Sequence, residues 1–172
     1  LRVVEKAREI LPELALSTDV IAGFPGETEA EHQETVEFVR NAGFMRLHVF
    51  PYSRRPGTPA AAFPGQIPAA VREERSRALI AVGRDLALAF HRRMLGEIEE
   101  VLLEGDPVPR AAAGSGTTND AVTDAVTQSV NGGLTKQYVR AEVVSANEAR
   151  RGMIVPVKVE TASADGVSGR AV

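Results

Sequence analysis

The chain has 172 residues, enough for one ordinary domain or a partial domain joined to a small second one. Its residues are 44% hydrophobic and 25% charged, so a core can be buried, while no apolar run approaches the roughly 20 residues that span a bilayer. Cysteine is absent and the net charge is −3, which removes disulfides, thiolate nucleophiles and iron–sulfur ligands from this chain and excludes a polycation.

The first residues, LRVVEKAREILPEL, lack the basic–apolar–small order of a signal peptide. They also lack an initiating Met, so the expectation is a chain that begins mid-protein, in the cytoplasm, with no membrane partner. Val3, Val4, Ala7 and Ile10/Leu11 share one helical face over residues 2–11, and Pro12 ends that helix. LSTDVIAGF then predicts a short buried strand of a parallel sheet. Thr28 and Glu31 spell a capping box, placing a helix start near Glu29, with Val36, Val39 and Phe38 on its apolar side and Gly43 as its stop. FMRLHVF predicts a second strand, closed by Pro51. A connection of this length between strands implies a right-handed parallel βαβ unit.

A turn-rich segment leads to a long helix over about 69–95, striped by Val71, Leu79, Val82, Leu86 and Phe90. Gly96 stops it, and the pattern becomes β. EIEEVLLE, YVRAEVV and MIVPVKV are strand candidates, the first two read as a hairpin interrupted by a mobile polar insertion at 105–131. The tail TASADGVSGRAV reads as loose. The expected domains are therefore an incomplete α/β piece at 1–95 and a small β-barrel at 96–172. Two strands do not make a stable sheet alone, so the α/β piece needs further, earlier strands.

Two loops stand out. In GFPGE, Gly23 and Gly26 permit backbone conformations closed to other residues, Pro25 stiffens the turn, and Glu27 is either a ligand-facing carboxylate or a favourable charge at a helix start. The loop follows a strand end, where α/β proteins bind ligands, but a simple βα corner explains it at least as well. In HVFPYSRRPGTPA, Tyr52, Ser53 and the Arg54–Arg55 pair follow the next strand end on the same rim; guanidinium forks suit carboxylates or phosphates, although a solvated arginine pair is the favoured explanation of the pair taken alone. The histidines His32, His48 and His91 show no metal-ligand spacing, and no nucleophile–base pair is visible. No catalytic residue and no metal ligand is assigned. From Gly132 onward six Lys/Arg face four Asp/Glu. There Lys136, Tyr138 and Arg140 alternate as on one strand face, with Arg150 and Arg151 as a possible extension. Cations around an aromatic suit single-stranded nucleic acid, and a solvated strand face explains them equally.

TDVIAGFPGET (18–28), RLHVFPYSRRPGTPAA (46–61), ERSRALIAVGRDL (74–86) and the LGEIEEVLLEG–YVRAEVV pair together resemble the radical S-adenosylmethionine methylthiotransferases. LHVFPYS is most similar to the branch acting on threonylcarbamoyladenosine in tRNA; sister branches act on isopentenyladenosine or a ribosomal protein. The resemblance implies part of a (β/α) barrel followed by a TRAM-like, OB-like β-barrel that grips tRNA. It implies cleavage of S-adenosylmethionine at a [4Fe–4S] cluster and transfer of a methylthio group to an adenine carbon. Ile21, Gly23 and Glu27 match the cofactor-loop pattern I-x-G-x-x-x-E, with Pro25 and Gly26 inside it. Val49, Phe50, Tyr52 and Ser53 match the strand end beside the cofactor's adenine, and Arg55 matches the arginine of Tyr-Ser-x-Arg-x-Gly-Thr. Lys136, Tyr138, Arg140, Arg150 and Arg151 are the RNA-binding candidates. The family's CxxxCxxC motif is absent, so the implied partner is an N-terminal part of the same polypeptide, and this chain alone is expected to be inactive. The reading from another class is an RNA-binding module without catalysis.

Overall fold

Strands β1 (Ser17–Ala22) and β2 (Arg46–Pro51) run parallel, with Val20 opposite Val49 and Ile21 opposite Phe50. The computed structural model describes residues 2–109, 128–146 and 149–172. Two units divide at Ala89/Phe90, in the last turn of a long helix.

In the first unit, α1 (Arg2–Ile10) precedes β1 and α2 (Glu29–Ala42) joins the two strands. α2 begins where its sequence dictates. The Thr28 hydroxyl accepts from the Glu31 N–H at 3.2 Å, and the Glu31 carboxylate accepts from the Thr28 N–H at 2.8 Å. This reciprocal pair satisfies two amides that the first helical turn leaves open. Gly43 ends the helix in the left-handed region at φ 60°, which a residue with a Cβ adopts only under strain. α3 (Ala69–Arg92) closes the unit, stopping short of the expected Leu95.

The core lies on one side of the β1–β2 pair. Ala22, Val39, Ala42, Phe44, Leu79 and Val82 are buried there, with Val20, Leu47, Val49 and Leu86 packed against them. On the other side of the same strands, Asp19, Ile21, His48 and Phe50 are exposed. α1 buries none of its residues, and Val3 and Ile10 of its apolar face are 83% and 69% exposed. One expectation changes: Phe38, expected on the apolar side of α2, is exposed, touching Phe44 in a tilted ring contact.

The second unit is a closed barrel of five strands. β3 (Ile98–Leu103), β7 (Ile154–Ala162), β8 (Val167–Ala171), β6 (Arg140–Ala146) and β5 (Gln128–Thr135) follow in that order, and β5 pairs back onto β3. β4 (Val108–Pro109) adds to the other side of β5. The pairings are antiparallel except β6–β8. Val101, Leu103, Val143, Val157 and Val159 fill the interior from alternate strand positions, and Val139 joins them from just before β6.

Three expectations for this unit are corrected. The tail is ordered: Val167–Ala171 is β8, wedged between β6 and β7. β3 pairs with β5 and β7, so EIEEVLLE and YVRAEVV are not direct hairpin partners. Of the insertion expected at 105–131, Val108–Pro109 and Gln128–Asn131 are paired strand residues, and 110–127 lie outside the described residues. Short polar and glycine-rich strands escape a hydrophobicity reading because barrel closure supplies their partners. Among the described residues no helix is long and apolar enough to cross a membrane.

Candidate functional site

Three loops meet at the carboxyl ends of β1 and β2. The first, 23–27, folds back on itself: the Glu27 N–H donates to Phe24 O at 2.9 Å, and the Gly23 N–H donates to Glu27 Oε2 at 2.7 Å. The second leaves β2 with the Tyr52 N–H bonded to Ala22 O at 2.8 Å. The third touches the first through the Gly26 N–H and Gly65 O, 2.9 Å apart. The Phe24 ring meets Tyr52 and Phe63 edge to face, with centroids 5.3 and 6.2 Å away. Such edge contacts suit the aromatic quadrupole and hold the loops as one rim.

Helix α3 fastens this rim. Arg75 Nη1 donates to Glu27 Oε2 at 2.7 Å and to the Glu27 carbonyl at 2.9 Å, and Nη2 reaches Glu29 Oε2 at 3.3 Å. The Arg75 and Glu27 side chains are only 9% and 13% exposed, so this ion pair is screened little by water. One turn earlier, Arg72 Nη1 donates to Tyr52 O at 2.8 Å. The stem of Arg72 lies over Gly23, whose φ is 73°; a Cβ there would collide with Arg72 Cγ. Gly23 is thus glycine for two reasons, its left-handed backbone and the arginine packed on it.

The expected cofactor residues separate by face. Ile21 and Phe50 are cross-strand partners, 54% and 50% exposed on the side away from the core. Val49 points the other way, into the core, which leaves only its backbone for a ligand. Gly23 is buried, Pro25 half-buried and Gly26 exposed. Tyr52 is buried, and its hydroxyl has no hydrogen-bond partner among the described residues. Ser53, Arg54 and Arg55 are exposed, the last at a turn where Thr58 Oγ1 donates to Arg55 O at 2.9 Å. Glu27 precedes the Thr28 cap, and its carboxylate is taken up by Gly23 and Arg75 rather than spent on the α2 dipole. Glu29 and Glu31 stand inside the first turn; the hydrogen bond from Gln33, and then Arg75, lowers the Glu29 pKa, and the bonds from Thr28 lower that of Glu31.

Arg75 carries a signal that the sequence reading passes over. It stands midway between Val71 and Leu79, on the apolar stripe of α3, where the spacing asks for another hydrophobic residue. A charge in such a gap marks a buried partner. Of the histidines, His32 is buried, and His91 Nδ1 donates to Ser163 O at 2.6 Å. Among the described residues no group of His, Cys, Asp and Glu is placed to hold a metal ion.

On the barrel, Lys136 and Tyr138 do not sit on a strand; they belong to the β5–β6 turn, and β6 starts at Arg140. Thr135 pins this turn, its carbonyl accepting from the Tyr138 N–H at 2.9 Å and its hydroxyl from the Val139 N–H at 3.2 Å. Tyr138 is held at φ 61° with 72% of its surface exposed. Left-handed geometry in an exposed aromatic is costly, and such strain concentrates at functional positions. Arg140, Leu134, Leu102 and Ile154 form one register row across four strands, none of them buried. At the usual strand spacing that row is about 14 Å wide. Arg150 and Arg151 precede its Ile154 end, in the turn where the Gly152 N–H donates to Leu103 O at 2.8 Å. The two cationic groups therefore flank an apolar row instead of forming a single patch.

No protein-family model matches the chain. It is 43% identical over 123 residues, 70% of its length, to a tRNA-2-methylthio-N(6)-dimethylallyladenosine synthase of Salinispora arenicola, covering 24% of that protein. It is 45% identical over 113 residues, 65% of its length, to the Nocardia farcinica protein of the same name, covering 22% of it. It is 41% identical over 104 residues, 60% of its length, to a threonylcarbamoyladenosine tRNA methylthiotransferase of Thermotoga maritima, covering 24% of it. These relatives are tRNA methylthiotransferases, and the chain spans about a quarter of their length.

Proposed function

We propose that the chain is the C-terminal part of a cytoplasmic tRNA methylthiotransferase: the last strands of a (β/α) barrel, one wall of the S-adenosylmethionine pocket, and a TRAM-like barrel that grips tRNA. The observation that carries this reading is the shared rim, where Ile21 and Phe50 stand half-exposed beside a glycine loop and a second loop bound to it. A flat apolar pair next to turning backbone suits a purine ring and its ribose. S-adenosylmethionine, when bound, supplies radical chemistry at a [4Fe–4S] cluster. No cysteine of this chain can ligate that cluster, so its thiolates come from elsewhere in the polypeptide.

The chain's own residues bind and orient. Ile21 and Phe50, the loop of Gly23, Pro25, Gly26 and Glu27, the Tyr52–Ser53 strand end and Arg55 would hold S-adenosylmethionine. Lys136, Tyr138 and Arg140 hold RNA at one end of the barrel surface, Arg150 and Arg151 at the other. LHVFPYS favours threonylcarbamoyladenosine as the modified nucleoside, whereas the names of the Salinispora and Nocardia relatives favour dimethylallyladenosine.

Nucleoside mass spectrometry of tRNA from a strain lacking the gene tests both. Loss of the methylthio group from threonylcarbamoyladenosine is expected. Loss from dimethylallyladenosine moves the substrate to the second reading, and an unchanged nucleoside profile overturns the methylthiotransferase assignment.

A further inference from the structure

We propose that Arg75, assisted by Arg72 one turn before it, is a positioning residue for the cofactor loop: it fixes Glu27, and through Glu27 the Gly23 amide, at a set distance from the Tyr52 loop. The inference rests on the proposed function for the identity of the ligand. It rests on geometry for the rest. One carboxylate oxygen, Glu27 Oε2, accepts from both the Gly23 N–H and the Arg75 guanidinium, each at 2.7 Å. The same guanidinium takes the Glu27 carbonyl, so the loop's side chain and backbone are both tied to α3. Arg72 ties the neighbouring loop at Tyr52 O and rests its stem on Gly23. A single helical turn thus ties both loops, in addition to the backbone bonds from Tyr52 to Ala22 and from Gly26 to Gly65.

A buried ion pair is a poor source of stability, because desolvation offsets most of its attraction. A hydrophobic residue in the stripe position of Arg75 would serve packing as well. The directed bonds instead specify where the Gly23–Glu27 backbone stands, and backbone placement decides whether the loop and the adjoining Ile21 meet a ligand at contact distance.

The test uses the complete protein with its clusters reconstituted. S-adenosylmethionine and tRNA dissociation constants are measured by equilibrium dialysis and filter binding, with kcat and KM for methylthio transfer. Arg75→Met is expected to weaken S-adenosylmethionine binding and raise its KM by about 10- to 100-fold, with tRNA affinity unchanged and Arg75→Lys recovering part of the loss. Glu27→Gln, which keeps an acceptor for Gly23 but loses the charge, and Arg72→Met, which keeps the stem but loses the bond to Tyr52, are expected to give smaller losses of the same kind. These two variants decide the matter if Arg75→Met does not fold. Folded variants with wild-type cofactor affinity, or with cofactor and tRNA affinity falling together, overturn the inference alone. Wild-type protein that binds no S-adenosylmethionine overturns it together with the proposed function.

Discussion

Glu27 and Arg75 lie 48 positions apart in the chain, yet their charged atoms approach to 2.7 Å with both side chains almost wholly covered. Removing one partner strands a charge in a site with little water. Glu27→Ala is therefore expected to destabilise the first unit by about 3–5 kcal/mol, more than a surface ion pair is worth. The double variant Glu27→Ala/Arg75→Met should cost less than the sum of the single changes. Denaturant unfolding of the complete protein, followed by a probe in this unit, measures that coupling.

Gly23 is the loop position with no room to spare. Gly23→Val must displace Arg72 and hold a β-branched residue at positive φ. The expected result is at least a tenfold loss of S-adenosylmethionine affinity, since the Arg72–Tyr52 bond and the Gly23–Glu27 bond are both disturbed. Gly57, with a similar φ but open space around it, is the control. Gly57→Ala should carry backbone strain only and leave cofactor affinity near wild type. Equal losses in both would remove the steric explanation.

Tyr138 offers a change whose two effects have opposite signs. Asparagine tolerates the left-handed region, so Tyr138→Asn should stabilise the barrel by about 1 kcal/mol. The same change removes the exposed ring and should weaken tRNA binding by about 1–3 kcal/mol if a base stacks there. A variant that gains stability and keeps its tRNA affinity shows the tyrosine to be an ordinary turn residue.

Lys136→Ala/Arg140→Ala and Arg150→Ala/Arg151→Ala test whether the apolar row between these groups lies under RNA. If both ends bind the backbone, each double variant should flatten the plot of log affinity against log salt by up to about 1.4, at roughly 0.7 per phosphate contact. Combining them should flatten it further. A slope that moves for only one pair assigns the RNA to that end of the barrel.

The α2 cap predicts a pH dependence. Thr28 lowers the pKa of Glu31 through its amide and hydroxyl bonds, so the folded state binds this proton less readily than the unfolded chain. The stabilisation is present above the unfolded value, about 4.3, and is lost as pH falls through the lower folded value. Melting temperatures of wild type and Glu31→Gln should differ near neutral pH and converge once the pH has fallen below the lowered folded value. A difference that persists in acid would place the effect outside carboxylate ionisation. Thr28→Ala should cost about 1 kcal/mol throughout the range where the helix is capped.

Local features of the chain were legible in its residues. Thr28, Glu31 and Gly43 mark both ends of α2, and alternating Val101, Leu103, Val157 and Val159 mark buried strand faces, because capping and pleat act within a few residues. The same holds for the paired strand-end loops and for the absence of cysteine. Long-range contacts were not legible. Nothing local says that Arg75 meets Glu27, that Val167–Ala171 inserts between β6 and β7, or that Lys136 and Tyr138 leave the strand for a turn. Those outcomes depend on which distant groups offer a charge, a strand edge or a hydrogen-bond acceptor once the chain has closed on itself. The sequence determined α2 with both its ends and the strands β1, β2, β3 and β7; tertiary structure alone decided the strands that barrel closure recruits, which exposed faces remain and how the two loops are held beside each other.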